Sequence, residues 1–305
     1  MDEYDIINAR TLTDGIHFAE TPTPGPDGRV YVSDFYAHEV VAIDVETGAK
    51  ETILTVPAQP SGLGWLEDGS LLVVSMRDRR VLRRRPDGSV NEYADLSAHT
   101  EGCANDMYVA HDGRAWVGDF GFDFYGMLER EPEADPLFGP GANPPTASLV
   151  TIDVEGTVRT AATGFRFPNG IVQLSDGRLV VAETVGGCLT AFDVGEQGAL
   201  ANRTVYADLT AAAPGGEPIF PDGTCSDVED GIWVSDPTHG GAVRIGPDGS
   251  ATDYVTASQG CFAVGLEGST LVLCTAVSSN PNEAGASRTG KIEVAEVDVP
   301  GKSRI

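Results

Sequence analysis

Lysine is almost missing from this 305-residue chain, which has only Lys50, Lys291 and Lys302. Basic residues number 20 against 46 acidic ones, for a formal net charge of −26. Such a surface repels polyanions, so nucleic acid and anionic membrane are excluded as partners and a small-molecule substrate is expected. Cysteine is also sparse: Cys103, Cys188, Cys225, Cys261 and Cys274 are odd in number, far apart and without a CxxC pair. That argues against a disulfide framework or a zinc–thiolate site and for reduced, buried thiols. No stretch approaches the roughly 18–20 apolar residues of a membrane helix. The start, Met1-Asp2-Glu3-Tyr4-Asp5, lacks the basic and apolar regions of a signal peptide, so a cytoplasmic protein is expected. Sustained 3.6-residue periodicity with caps is missing too, which excludes a helical solenoid.

What the chain does contain is a repeat of short apolar strands. Val30-Tyr31-Val32, Leu71–Val74, Ala115-Trp116-Val117, Leu179–Ala182, Ile232-Trp233-Val234 and Thr270–Leu273 are each preceded by an acidic-Gly turn. Those turns are Asp27-Gly28, Asp68-Gly69, Asp112-Gly113, Asp176-Gly177, Asp230-Gly231 and Glu267-Gly268. Asp-Gly between apolar runs is the strongest short hairpin signal, because glycine takes positive φ without steric cost. The copies recur at roughly 40–60 residues, near the period of a propeller blade. The expected fold is therefore all-β: a six-bladed β-propeller with a central metal-containing channel, formed as one domain over residues 1–305. A strand at about 4–12 is expected to close the last blade beside 291–297. The third copy carries a long insertion, about 120–147, whose aromatic first half suggests a lid over the channel mouth.

One phase of the repeat carries oxygen-bearing side chains in four copies. Asn169 and Asp222 lie in the matching tripeptides Pro168-Asn169-Gly170 and Pro221-Asp222-Gly223, and the same frame recurs around Asn105 and after Glu20. Around a common axis these four converge, and convergent oxygen ligands make a hard-cation site. Two carboxylates and two amide carbonyls suit Ca²⁺, Mg²⁺ or Mn²⁺, with Ca²⁺ first; Zn²⁺ would be atypical without nitrogen or sulfur ligands.

In order and in phase, Phe18-Ala19-Glu20, Asn105-Asp106, Phe167-Pro168-Asn169-Gly170 and Phe220-Pro221-Asp222-Gly223 resemble the senescence-marker-protein/gluconolactonase/luciferin-regenerating-enzyme family. The resemblance spans nearly the whole chain. It implies a propeller with one divalent cation held by Glu20, Asn169 and Asp222, with Asn105 beside it or among its ligands. It also implies hydrolysis of a lactone, with Asp222 the best candidate for the general base that takes a proton from the attacking water. Two departures stand out. The family's usual Glu-Gly-Pro is Glu20-Thr21-Pro22 here. Where some sugar lactonases carry an arginine, two residues before the Asn-Asp pair, this chain has Cys103. Loss of that donor fork, together with Phe120 and Phe122, points to a substrate less polar than a sugar lactone. Asn105, Cys103, Phe120, Phe122 and His239 are the candidate substrate contacts. The alternatives are other chemistry on the same metal (dehydration or hydration of a sugar acid, or other ester hydrolysis) and a non-catalytic binding propeller.

Overall fold

The computed structural model describes residues 5–302. Within them lie six sheets, four built from consecutive antiparallel strands and two that also take a strand from residues 5–16, named here blades one to six in chain order. Their innermost strands are Ala19–Pro24, Pro60–Trp65, Ala104–Val109, Pro168–Gln173, Thr224–Ser226 and Gly260–Glu267. Each innermost strand touches those of the two neighbouring blades, including six against one, so the ring closes. This is an all-β six-bladed propeller. Among the described residues no helix is long and apolar enough to cross a membrane.

The second strand of each blade explains why the sheets stack. In Val30–Asp34, Leu71–Ser75, Ala115–Asp119, Leu179–Glu183 and Ile232–Asp236 every residue is buried. Both faces of such a strand lie against a neighbouring blade, which is why the sequence reads as continuous apolar runs instead of alternating ones. Trp116 packs outward on Tyr108, and its Nε1 donates to the Gly198 carbonyl at 2.9 Å.

The acidic-Gly turns form largely as expected. Gly28, Gly69, Gly113, Gly177 and Gly268 all have φ between 57° and 89°. In four of them the aspartate carboxylate also accepts the backbone N–H two residues on, at Arg29, Ser70, Arg114 and Arg178. Blade five differs. There Asp230 takes the left-handed conformation, with φ 61°, and Gly231 does not. Gly231 is needed for space instead: a Cβ on it would lie 2.4 Å from Asp227 Oδ2 and 2.5 Å from the Arg244 guanidinium.

Closure uses a later segment than the expected 4–12. Arg10–Ile16 pairs antiparallel with Gly290–Glu296 as the outer strand of blade six. Asp5–Asn8 instead runs parallel to Ala251–Thr256 on the outside of blade five. The Ala9 N–H donates to the Thr256 carbonyl at 2.9 Å, holding the crossover between them. One segment thus covers two outer edges that would otherwise be open. Tyr4 lies outside the described residues.

Two insertions depart from the blade pattern. In blade three, residues 120–146 separate the second and third strands and contain a short helix, α1 (Phe124–Arg130). In blade six, residues 277–289 contain a single helical turn, α2 (Pro281–Ala284). Both lie at the corresponding turn of their blades, so they emerge on the same face of the ring.

Candidate functional site

The register of the inner strands sets the site. Ala19 faces Asp34, Pro60 faces Ser75, Ala104 faces Asp119 and Pro168 faces Glu183. Glu20, Ser61, Asn105 and Asn169 therefore occupy one position in four blades. Asp222 holds the matching place before Thr224–Ser226. In blades two, three and four the pairing is interrupted by a bulge directly after the facing pair, and in blade one it is interrupted one pair later, after Glu20 and Ser33. A bulge re-aims the side chain it carries, and here it does so next to the axis.

The Pro-x-Gly tripeptides have a steric cause. A Cβ on Gly62 would lie 2.4 Å from the Met107 nitrogen, one on Gly170 2.4 Å from the Thr224 nitrogen, and one on Gly223 2.7 Å from the Ala263 Cα. Each glycine lets the next blade's inner backbone approach. In blades one and three the glycine's place is taken by Thr21 and Asp106, and Thr21 Oγ1 donates to Asp106 Oδ1 at 3.4 Å.

A hydrogen-bonded arc runs round the channel. Ser61 Oγ donates to Asn105 Oδ1 at 3.0 Å, and Asn105 Nδ2 donates to Asn169 Oδ1. Asn169 Nδ2 donates to Thr184 Oγ1 at 2.8 Å, and Thr184 donates to the Pro221 carbonyl at 2.6 Å. The arc fixes both amides and leaves each amide oxygen one lone pair. Ser61 and Thr184 were missed in the sequence reading. Ser61 had a signal, since Pro60-Ser61-Gly62 is a Pro-x-Gly tripeptide in the same phase as those of Asn169 and Asp222.

Three carboxylates, Glu20, Asp106 and Asp222, adjoin the arc, and each raises or is raised by another. Glu20, Asp106 and Asn169 are buried, and Asp222 is half-buried. Burial holds the Glu20 carboxyl well above its usual value, and the charges of Asp222 and Asp106 push it further. Asp222 is raised by burial and by Asp106; Asp106 is pushed up to about 6, chiefly by burial. Glu20 Oε2 is buried with no hydrogen-bond partner. Among the described residues no three Asp, Glu, His or Cys side chains stand close enough to chelate an ion by themselves. A cation here would need the Asn105 and Asn169 carbonyls as well. Desolvated like charges, an unpartnered carboxylate oxygen and two fixed amide oxygens are a donor set that a hard dication fits.

The mouth above this ring is aromatic. Phe18, Phe35, Met76, Cys103, Phe120, Tyr125 and Phe167 form one buried cluster, with Phe122 and Phe124 packed against it. Phe120 stacks on Phe167 at 4.5 Å between ring centroids. Cys103, Phe120 and Phe122 are thus gathered where the sequence placed them. Burial pushes the Cys103 thiol up to about 11, so it is a neutral apolar group and not a nucleophile. His239 is not gathered there. Its Nδ1 lies 2.8 Å from Asp236 Oδ2, an oxygen that also accepts from the Tyr254 hydroxyl at 2.9 Å. That contact ties Nδ1 to the turn between the second and third strands of blade five. Asp236 is one of a set: Asp34, Asp119 and Glu183, at the same strand end in other blades, also accept backbone N–H groups of the mouth loops.

Helices α1 and α2 meet over the mouth. Asn282 Nδ2 donates to the Leu128 carbonyl at 3.0 Å, and Asn280 Nδ2 donates to the Pro132 carbonyl at 2.9 Å. Arg77 pairs with Glu129 of α1 at 2.6 Å and lies 5.4 Å from the Tyr125 ring centroid.

Comparison with known proteins agrees with this architecture. Diisopropyl-fluorophosphatase of Loligo vulgaris is 26% identical over 258 residues, covering 74% of this chain and 76% of that one. The solved gluconolactonase of Xanthomonas campestris superposes with a TM-score of 0.73 at 21% identity, covering 96% of this chain and 90% of that one. The calcium-binding protein regucalcin of Agrobacterium tumefaciens does so with a TM-score of 0.72 at 18% identity, covering 99% and 100%. The family model of the SMP-30/gluconolactonase/LRE-like region matches residues 18–277, from the first inner strand to the end of the last blade's second strand, and the chain belongs to that family.

Proposed function

We propose that this protein is a divalent-metal-dependent hydrolase of a lactone or related cyclic ester less polar than a sugar lactone. The observation that carries the reading is the uncompensated set Glu20, Asp106 and Asp222 beside two oriented amide oxygens, all beneath an aromatic mouth. Glu20, Asn105, Asn169 and Asp222 would hold the ion, Ca²⁺ by preference, in line with the calcium-binding neighbour. Bound there, a dication polarises a carbonyl oxygen and stabilises the charge that develops on it.

The chain's own groups supply the rest. Asp222 is the most exposed of the carboxylates and has the carboxyl best placed to take a proton from the attacking water. Asp106, hydrogen-bonded by Thr21, keeps negative charge next to it. The arc from Ser61 to Thr184 locks the amides so that their oxygens need no reorganisation when substrate arrives. The Phe120–Phe167 stack and the neutral Cys103 thiol offer an apolar wall in place of a donor fork. The α1–α2 clasp excludes water when shut and must part to admit substrate.

The diisopropyl-fluorophosphatase relative favours a second reading, in which the same groups act on a phosphorus-centred electrophile. One experiment separates the two. Chelated protein is reconstituted with Ca²⁺, Mg²⁺, Mn²⁺ or Zn²⁺ and offered lactones, sugar acids and a fluorophosphate ester, with proton release followed. Turnover of lactones with calcium is expected. Turnover of the other classes alone, or equal turnover after chelation, sinks the lactonase reading.

A further inference from the structure

Gln59 directly precedes the inner strand of blade two, in the place held by Phe18, Cys103 and Phe167 in blades one, three and four. Those three belong to the aromatic cluster at the mouth. Gln59 is therefore a polar residue in an apolar tier, one step above the oxygen ring. It is only 2% exposed. Its backbone has φ 74°, a conformation that non-glycine residues avoid and that persists where surrounding contacts enforce it. Two such contacts are visible: the Gln59 N–H donates to the Val56 carbonyl at 3.0 Å, and its carbonyl accepts from the Met76 N–H at 2.8 Å.

The side chain is half used. Gln59 Oε1 accepts from Arg77 Nε at 2.9 Å, which fixes the amide, because an arginine offers no acceptor for the opposite orientation. Nε2 is then a donor, and it is buried without a partner. Gln59 also borders an open pocket of about 480 Å³ with Tyr36, His38, Arg77, Glu129 and Asn282, beside α1 and α2 and apart from the oxygen ring. A buried donor left unpaired costs more than a lost hydrogen bond returns, and an apolar residue at this place would avoid that cost.

We propose that Gln59 is a specificity-determining residue whose Nε2 donates to an acceptor oxygen on the substrate, such as an ether, oxo or hydroxyl oxygen beside the scissile group. The inference rests on the lactone or ester reading above and narrows it: the substrate is mostly apolar but carries one oxygen that meets Gln59. Arg77 acts through Gln59, holding its amide, and in turn is held by Glu129.

The test uses the full-length, calcium-loaded protein and pairs of γ-lactones that differ by methoxy against ethyl at each ring position, equal in size and unequal in acceptor. The readout is the ratio of kcat/KM within a pair. Wild type is expected to prefer the methoxy member by about 10- to 100-fold at one position. Gln59→Glu keeps the acceptor for Arg77 and loses the donor; Gln59→Met loses both. The ratio should collapse towards one in both variants. A wild-type ratio near one at every position overturns the proposal. So does a ratio kept in Gln59→Glu, whether or not Gln59→Met loses it, since that assigns Gln59 to holding Arg77. Ligand-induced shifts in Tm for the same pairs need no turnover. A methoxy preference in binding without hydrolysis of any lactone refutes the lactonase reading and supports the Gln59 donor.

Discussion

Glu20→Gln tests the electrostatics of the channel most directly. Glutamine keeps the shape of a side chain that is 5% exposed and removes a charge whose Oε2 has no partner. The sign follows from the raised carboxyl pKa. The native state holds its proton more tightly than the unfolded chain does, so the stabilisation is complete below the unfolded value of 4.5. It is lost as pH rises through the higher folded value. Metal-free protein at pH 8 should therefore carry the full cost of buried like charges. Asp106 alone, moved from 3.8 to about 6, contributes on the order of 3 kcal/mol. Relief of the Glu20 share should stabilise chelated protein by about 1–3 kcal/mol. At about 2 °C per kcal/mol for a chain of this size, Tm at pH 8 rises by roughly 2–6 °C. At pH 4 the two proteins should melt closer together. Added calcium should reverse the order, because at about 100 times Kd the wild type gains roughly 2.7 kcal/mol that a weaker-binding variant cannot match. Scanning calorimetry with and without chelator reads all of these. A chelated variant that melts below chelated wild type at pH 8 would refute the reasoning, since Glu20 would then have a stabilising partner within the chain.

The other predictions concern packing, the thiol and the clasp. Gly170→Ala should cost more than about 3 kcal/mol in denaturant unfolding, because its Cβ would meet the Thr224 backbone nitrogen at 2.4 Å. Gly177→Ala, in open space at φ 89°, should cost only about 1–2 kcal/mol, and equal losses would discredit the close-approach argument. Cys103→Ala should retain turnover, and iodoacetamide at pH 8 should leave Cys103 unlabelled in a mass-spectrometric assay, as a thiol pushed up to about 11 predicts. Asn280→Ala with Asn282→Ala should loosen the α1–α2 clasp, seen as faster amide exchange in α1 without a change in the blades; unchanged exchange would show that the aromatic cluster alone holds it.

Local chemistry made much of this protein readable. An Asp-Gly turn needs only its own carboxylate, its own φ and the next N–H, so the blades announce themselves in sequence, with Asp230 the instructive exception. The oxygen-bearing phase was readable because four of its members sit in recurring frames. Ser61 escaped because a serine between proline and glycine looks like an ordinary turn, and its role depends on Asn105 of another blade. His239 is tied through Nδ1 to Asp236 of its own turn, a contact that the sequence reading did not foresee. The closing strand was set too early because only the outer edges of two blades, brought together by the ring, decide which residues pair.

By itself the sequence determined the strand-and-turn repeat, the six-fold count and the oxygen-bearing side chains in phase, since each depends on residues within a few positions of one another. Tertiary structure alone decided which polar atoms go unpaired. Glu20 Oε2 and Gln59 Nε2 are without partners because of what the other blades place, or fail to place, beside them, and that relation between distant residues leaves no mark on local sequence.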